Sequence, residues 1–388
     1  MAKLGEVCEF YAGTGFPNEY QGRVTGKYPF YKVGDISKNV LEGNRELKTC
    51  ANYVEEDVVQ KLKGSILPPK TIVFAKIGEA LKLNRRAITS CECLVDNNVM
   101  GIKAQNVRLN DEYLFYWLQN LNLSDYSEST TVPSVKKSRL QNIEINVNPL
   151  EEQEKVVSTL NKLSSLILAR KKQLSKLDEL VKARFVEMFG TFPANPFRWD
   201  TGKIQDVVSD VRYGSSRPAV EGGKYPYLRM NNITYSGELD LRDTKRIDIP
   251  DSELDKCTVR RGDVLFNRTN SKELVGKTCM YNRDELMVLA GFVIRVRVNE
   301  RIRSEVLSAF LNMDFSKRML IGMCKTAIGQ ANINAKELQN IDLYIPPIEL
   351  QDQFVTLKNK IDQQKQTVQQ SLEKLELMKK ALMQEYFG

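Results

Sequence analysis

The side chains in this sequence best suited to chemistry are hydrogen-bond donors. The chain contains no histidine, which removes the Ser-His-Asp triad, the imidazole general base and every His-ligated metal. Serine–lysine, carboxylate and cysteine chemistry remain open. The seven cysteines (8, 50, 91, 93, 257, 279 and 324) are scattered, with no CxxC or Cys/His cluster. That usage fits reduced thiols better than disulfides or zinc. No carboxylate cluster has metal-ligand spacing. Cationic and amide side chains, by contrast, gather at matching places. The first half carries Lys76, then Arg85 and Arg86 beside Asn84, then Ser134, Lys136 and Lys137. The second carries Arg217, then Arg229 with Asn231 and Asn232, then Asn267, Arg268, Asn270 and Lys272, and finally Gln330 and Asn332. Arginine and lysine suit phosphates and guanine edges, while asparagine and glutamine suit adenine edges. These residues form a candidate surface for nucleic acid. The formal net charge of +8 is compatible with a polyanionic partner.

Two glycine-containing segments could be cofactor loops. Glu9-Phe-Tyr-Ala-Gly-Thr-Gly15 has the glycine spacing of a loop that holds S-adenosylmethionine, which would make the chain a methyltransferase. Such a glycine loop follows a buried strand inside a βαβ unit, and the flanking sequence does not read as one. No Asn/Asp-Pro-Pro-aromatic segment follows, because Asn148-Pro-Leu and Ile345-Pro-Pro-Ile each lack part of it. The corresponding Val211-Arg-Tyr-Gly-Ser-Ser-Arg-Pro218 keeps its place but not the glycine spacing. Val275-Gly-Lys-Thr278 has the tail of a phosphate-binding loop without its upstream glycine. The expectation is a chain with a short catalytic menu, and with no cofactor and no metal of its own.

The elements that must position these side chains occur twice. Leu140/Leu338, Gln141/Gln339, Asn142/Asn340, Pro149/Pro347, Gln153/Gln351 and Phe189/Phe387 all lie 198 positions apart. Shorter blocks match at drifting offsets: Lys3-Leu-Gly-Glu-Val7 with Lys203-Ile-Gln-Asp-Val207, Val33-Gly-Asp-Ile36 with Met230-Asn-Asn-Ile233, and Ile72-Val-Phe-Ala-Lys76 with Val264-Leu-Phe-Asn-Arg268. Loops diverging on a shared frame produce such drift. The expected order is a domain over 1–148, a helix over 149–190, a second domain over 191–346 and a second helix over 347–388. Tyr28–Val33, Thr71–Ala75, Tyr225–Arg229, Asp263–Phe266 and Ala290–Val298 read as strands, and Asp111–Leu121 and Ser304–Leu311 as helices.

Each long helical segment opens on proline and an acidic turn, closes on glycine, and contains neither residue inside. Leu160, Leu163, Ile167, Leu174, Leu177 and Val181 follow a heptad, as do Leu357, Ile361, Val368, Leu375, Met378 and Leu382. Such a narrow stripe suits a coiled-coil seam. At about 1.5 Å per residue each helix is roughly 58 Å long, too long to hide its stripe in one small domain. The two are expected to pair as a spacer. No apolar run reaches the roughly 18 residues of a membrane span, and no secretory h-region is present. The expected location is the cytoplasm.

With these features the chain resembles the specificity subunits of type I restriction–modification systems. The resemblance is carried by Gly329-Gln-Ala-Asn-Ile-Asn334 leading into Leu338-Gln-Asn-Ile341 and Pro346-Pro347, and by Glu349 and Gln351. Val264-Leu-Phe-Asn-Arg-Thr269 with Val275-Gly-Lys277, and the pairs Phe189-Gly190 and Phe387-Gly388, add to it. The first half departs from the pattern at Thr131-Val-Pro-Ser-Val-Lys136 and Val73-Phe-Ala-Lys-Ile-Gly78. The resemblance implies an α+β fold of two β-rich target-recognition domains, each followed by a long helix. The helices would pair as an antiparallel coiled coil with pseudo-twofold symmetry. It implies a non-catalytic subunit that reads a bipartite, asymmetric DNA target and directs adenine methylation and cleavage in phage defence. Modification (methyltransferase) subunits would carry S-adenosylmethionine, and restriction (translocase and nuclease) subunits the ATP and Mg chemistry. Two other readings stay open: the specificity partner of a fused restriction–methylation enzyme, and a coiled-coil scaffold that does not touch DNA.

Overall fold

The computed structural model describes residues 1–105, 107–128, 132–327 and 330–388, with the backbone alone for 325–327 and 330. The chain divides into two compact units, residues 1–171 with 370–388, and residues 172–369.

In the first unit a four-stranded antiparallel sheet runs in the order Cys8–Ala12, Val99–Ala104, Ile72–Ala75, Arg86–Ile88. A smaller sheet holds Tyr53–Val54, Tyr28–Tyr31 and Leu94–Val95. Ile72–Ala75 is buried along its whole length, which is why it reads as a continuous apolar run. Its alternate residues serve two cores. Ile72 and Phe74 face Leu114 and Phe115 of the helix Asp111–Asn120, whereas Val73 joins Tyr31, Ile36 and Val95. That helix starts where the Asn110 side chain accepts hydrogen bonds from the backbone of Glu112 and Tyr113.

The second unit repeats the plan. Its larger sheet runs Val208–Tyr213, Val293–Val298, Val264–Asn267, Thr278–Met280, and its smaller one Lys245–Ile247, Tyr225–Leu228, Met287–Leu289, Thr258–Val259. Val264 and Phe266 face Leu307 and Phe310 of the helix Ser304–Asn312, and Leu265 joins Leu228 and Val259. The expected strands and helices are found with ends shifted by up to three residues. Elements beyond those expected include the helix Asp314–Met323, and a ribbon of Thr269–Asn270, Gln330–Asn332 and Lys325–Ala327.

The long helices span Leu150–Phe189 and Ile348–Phe387. At the end of the first, Gly190 takes the left-handed conformation (φ +84°) and its N–H donates to the Val186 carbonyl at 2.8 Å. Parts of both helices lie antiparallel within each unit. In the first, Lys171 meets Glu376 at 2.8 Å, and Val157, Leu160 and Met383 enter one core. In the second, Lys365 meets Asp178 at 2.5 Å, and Phe185, Phe189 and Phe354 form an edge-to-face cluster with ring centroids 4.9–5.6 Å apart. Leu160, Leu163, Ile361 and Val368 are buried as expected, and Ile167, Leu174, Leu177, Val181, Leu357, Leu375 and Leu382 are partly buried.

One seam residue is corrected. Met378 is 53% exposed, while Leu372 and Met383 are buried at 5% and 8%. A straight helix drifts about 20° per heptad relative to a strict 3.5-residue repeat. The buried face therefore rotates past Met378 onto neighbouring positions.

Candidate nucleic-acid interface

The same backbone junction occurs at one edge of each domain. In the second, the strand Val208–Tyr213 turns at Gly214. The Ser215 N–H donates to the Leu289 carbonyl at 2.6 Å, and the Gly291 N–H donates to the Ser215 carbonyl at 2.7 Å. A Cβ on Gly214 would lie 2.1 Å from the Leu289 oxygen. In the first domain the Thr14 N–H donates to the Val95 carbonyl at 2.9 Å, and a Cβ on Gly13 would lie 1.8 Å from the Asp96 oxygen. Glycine is required here because two backbones touch. That contact accounts for Gly13 and Gly214 at corresponding places, without a cofactor.

Beside this junction in the second domain stands Arg268. Its N–H donates to the Phe292 carbonyl at 3.0 Å and its carbonyl accepts from the Ile333 N–H at 2.9 Å. The guanidinium lies over the Tyr213 ring, 4.9 Å from the centroid, and the Tyr213 hydroxyl accepts from the Ala335 N–H at 2.8 Å. Thr269–Asn270 pairs with Ala331–Asn332, and the Thr269 hydroxyl donates to Asn332 Oδ1 at 3.0 Å. Asn270 accepts from the Ser271 N–H, and Lys272 is exposed. Arg268, Asn270, Lys272 and Asn332 are thus brought together on one ledge. The side chain of Gln330 lies outside the described residues.

The ledge has a buried support. Lys317 Nζ donates to the Gly276 carbonyl at 2.6 Å, and the Gly276 N–H donates to the Asn267 carbonyl at 2.8 Å. Burial, then the nearby Lys182 and Lys277, pushes the Lys317 ammonium down to about 8.

The first domain has a plainer version. The Lys76 N–H donates to the Asn98 carbonyl at 2.8 Å and its carbonyl accepts from the Val135 N–H at 2.9 Å, as Arg268 bonds with Phe292 and Ile333. Ser134 bridges to Ile77, Lys136 pairs with Glu128 at 2.5 Å, and Lys137 Nζ lies 5.9 Å from the Phe10 ring centroid. Lys76, Ser134, Lys136 and Lys137 therefore share an edge.

Several of the expected contact residues are buried or already paired within the protein. Arg86 is 4% exposed; its guanidinium donates to the Leu121 carbonyl at 2.6 Å and to Asn84 Oδ1 at 2.8 Å. It caps the chain leaving Asp111–Asn120, whereas Arg85 next to it stays partly exposed. Asn232 is buried, accepting from the Arg229 N–H at 2.9 Å and donating to the Asp240 carbonyl at 2.8 Å. Asn267 is buried and accepts from the Thr269 N–H; both asparagines shape turns. Arg229 donates to Asp243 Oδ2 at 2.9 Å, and Arg217 forks onto Glu253 at 2.7 and 3.2 Å. Each of these two cations pairs with a carboxylate, and Asn231 is exposed. Sequence reasoning missed Tyr213 and the exposed Phe292, for which only aromatic type next to a glycine gave any signal.

Among the described residues no group of three or more His, Cys, Asp or Glu is arranged to hold a metal, and no helix is long and apolar enough to cross a membrane.

Comparison with known proteins gives the class. The family described as the type I restriction modification DNA specificity domain matches residues 1–179 and 196–377, and the chain belongs to that family. Among individual relatives, it is 25% identical over 415 residues to the type I restriction enzyme MjaVIII specificity subunit of Methanocaldococcus jannaschii, covering 99% of this chain and 90% of that one. It is 22% identical over 249 residues to the type I restriction enzyme EcoKI specificity subunit of Escherichia coli. That match covers 60% of this chain and 53% of the relative, so the chain spans about half the length of that relative. A second M. jannaschii protein, named as a putative MjaX specificity subunit, is matched over 46% of its length. The crystal structure of the S subunit from M. genitalium superposes with a TM-score of 0.57 at 13% identity, covering 100% of this chain and 95% of that one. A chain from a study of type I R-M complex assembly gives 0.53 at 19% identity, covering 100% and 96%. These two neighbours share the fold: two β-rich domains, each followed by a long helix.

Proposed function

We propose that this chain is the DNA-recognition subunit of a type I restriction–modification complex, with the chemistry supplied by its partners. The observation that supports this most directly is the duplicated ledge. A cation directly after the matched strand, Lys76 in one domain and Arg268 in the other, is held by equivalent backbone bonds at the same edge of an equivalent sheet. Each domain reads one half of a split target, with Arg268, Asn270 and Asn332 suited to base edges and Lys76, Lys136, Lys137 and Lys272 to phosphates. The two ledges carry different side chains, so the two half-sites differ and the target is asymmetric. The long helices act as the spacer between half-sites. Modification subunits carry S-adenosylmethionine and methylate adenine, restriction subunits carry the ATP- and Mg-dependent machinery, and the complex works in the cytoplasm.

The test is methylation mapping by long-read sequencing of DNA from cells that carry this chain with its modification subunit. A split motif with methyladenine on opposite strands, lost when this chain is deleted, is the expected result. Arg268→Ala should abolish or relax recognition of one half-site and leave the other intact. Methylation that persists without the chain overturns the reading, and a mark made by the chain alone would show it to be a methyltransferase.

A further inference from the structure

Each domain touches the long helices a second time, at a loop remote in sequence from the ledge. This loop follows the matched blocks Val33-Gly-Asp-Ile36 and Met230-Asn-Asn-Ile233. In the second domain it is a tight turn. The Glu238 N–H donates to Thr234 Oγ1 at 2.9 Å, and the Thr234 N–H donates to the Glu238 carbonyl at 2.9 Å. Gly237, at φ +86°, lets the turn approach the Thr278 backbone so closely that a Cβ would lie 2.9 Å from its carbonyl oxygen. The Glu238 carboxylate accepts from Lys365 Nζ on the C-terminal helix, and the same ammonium donates to Asp178 of the central helix at 2.5 Å. One lysine thus ties both helices to a recognition domain, with its side chain only 13% exposed. Burial alone would lower its pKa, and the two carboxylates outweigh that effect and hold it above its ordinary value. The ion pair is therefore kept.

The first domain clasps the helix at the corresponding place by other chemistry. Gly43, at φ +79°, brings its loop against Leu168 of the central helix. Two residues on, Arg45 donates to Asn161 Oδ1 at 2.5 Å and pairs with Glu112 at 2.9 Å. Asn161 in turn donates to Glu112 at 2.6 Å. Exposed ion pairs contribute little to stability, but these are partly sheltered and each joins separate segments of chain.

We propose that Lys365 with Glu238, and Arg45 with Asn161, are positioning residues that fix the angle of each recognition domain on the helices and so set how strictly the spacing between half-sites is read. This rests on the DNA-recognition reading above. Adding one base pair moves a half-site by about 3.4 Å along the duplex and turns it by roughly a tenth of a helical turn. A domain free to rock on its helix would accept that displacement, and a clasped one rejects it.

The experiment uses the complex of this chain with its modification subunits, acting on a DNA library in which the two half-sites are separated by spacers one or two base pairs shorter or longer than the preferred one. Glu238→Ala leaves the Lys365–Asp178 pair intact, so the helices keep their contact. It is expected to raise methylation at spacers one base pair off, relative to the preferred spacer, by about fivefold or more, with the half-site bases unchanged. Lys365→Ala should do the same, and Lys365→Arg should restore the strict profile. An unchanged spacing profile in Glu238→Ala, in protein whose melting matches the parent, overturns the proposal. A parent complex that recognises no split motif overturns the DNA-recognition reading itself and this proposal with it.

Discussion

Gln153 and Gln351 show how much of this protein is decided by single side chains. Both are fully buried. Gln153 donates to the carbonyls of Arg108 and Asn148 at 2.9 and 2.7 Å and accepts from the Asn110 N–H at 2.8 Å. Gln351 donates to those of Arg301 and Pro346 at 3.0 and 2.8 Å and accepts from the Arg303 N–H at 2.8 Å. Each amide sews the first turn of a long helix to the turn that launches a domain helix. Gln351→Ala strands one N–H and two carbonyls away from water, and is expected to cost about 2–4 kcal/mol, read from the urea unfolding midpoint. The repeat of this glutamine was visible in the sequence; its reason was not, because two of its three partners come from more than forty residues away. Lys317 sets a pH dependence. Its folded pKa is lowered from 10.5 to about 8, so between those values the unfolded chain binds a proton that the folded chain has released. Its contribution to stability therefore rises as pH increases through that window, by up to about 3 kcal/mol, and is lost as pH falls through 8. Lys317→Met should flatten this rise in a series of unfolding curves from pH 7 to 10.

At the scale of elements, the sequence was most legible where a pattern is local. Proline, acidic first turn and closing glycine marked both long helices to within one residue of Leu150–Phe189 and Ile348–Phe387. Short apolar runs marked the central strands because those are covered on both faces. The ribbon made by Thr269–Asn270 with Gln330–Asn332 was invisible, since its strands pair across sixty residues and have no apolar alternation of their own. For the same reason Arg86 read as a surface donor: residue type does not reveal that the Leu121 carbonyl, thirty-five residues on, waits for it. The helical stripe was legible in outline and wrong at Met378. The corrected face predicts a difference between neighbours. Leu372→Lys places a charge in a buried position and should cost about 2–4 kcal/mol, while Met378→Lys should stay within about 0.5 kcal/mol of the parent, both read by thermal unfolding.

At the scale of the whole molecule, the duplicated plan was legible and the route of the chain through it was not. The drifting offsets announced two copies, and the heptads announced that the helices belong together. They did not show that residues 370–388 complete the unit that begins at residue 1. Leu382, Met383, Tyr386 and Phe387 pack against the first domain's core, with the Phe387 ring edge-on to Tyr113 at 5.1 Å. Removing Gln370–Gly388 is therefore expected to quicken hydrogen exchange in Asp111–Asn120 and leave Ser304–Asn312 protected, as measured by mass spectrometry. The same packing imposes a timetable during synthesis. Residues 1–171 leave the ribosome first, yet the side chains that seal their core are translated more than two hundred residues later. At typical elongation rates that interval is on the order of 10–40 s. Throughout it the first domain waits with an open apolar face, while the second, made later, can close first. A nascent chain stalled before residue 370 should thus be a substrate for chaperones through its oldest part, not its newest.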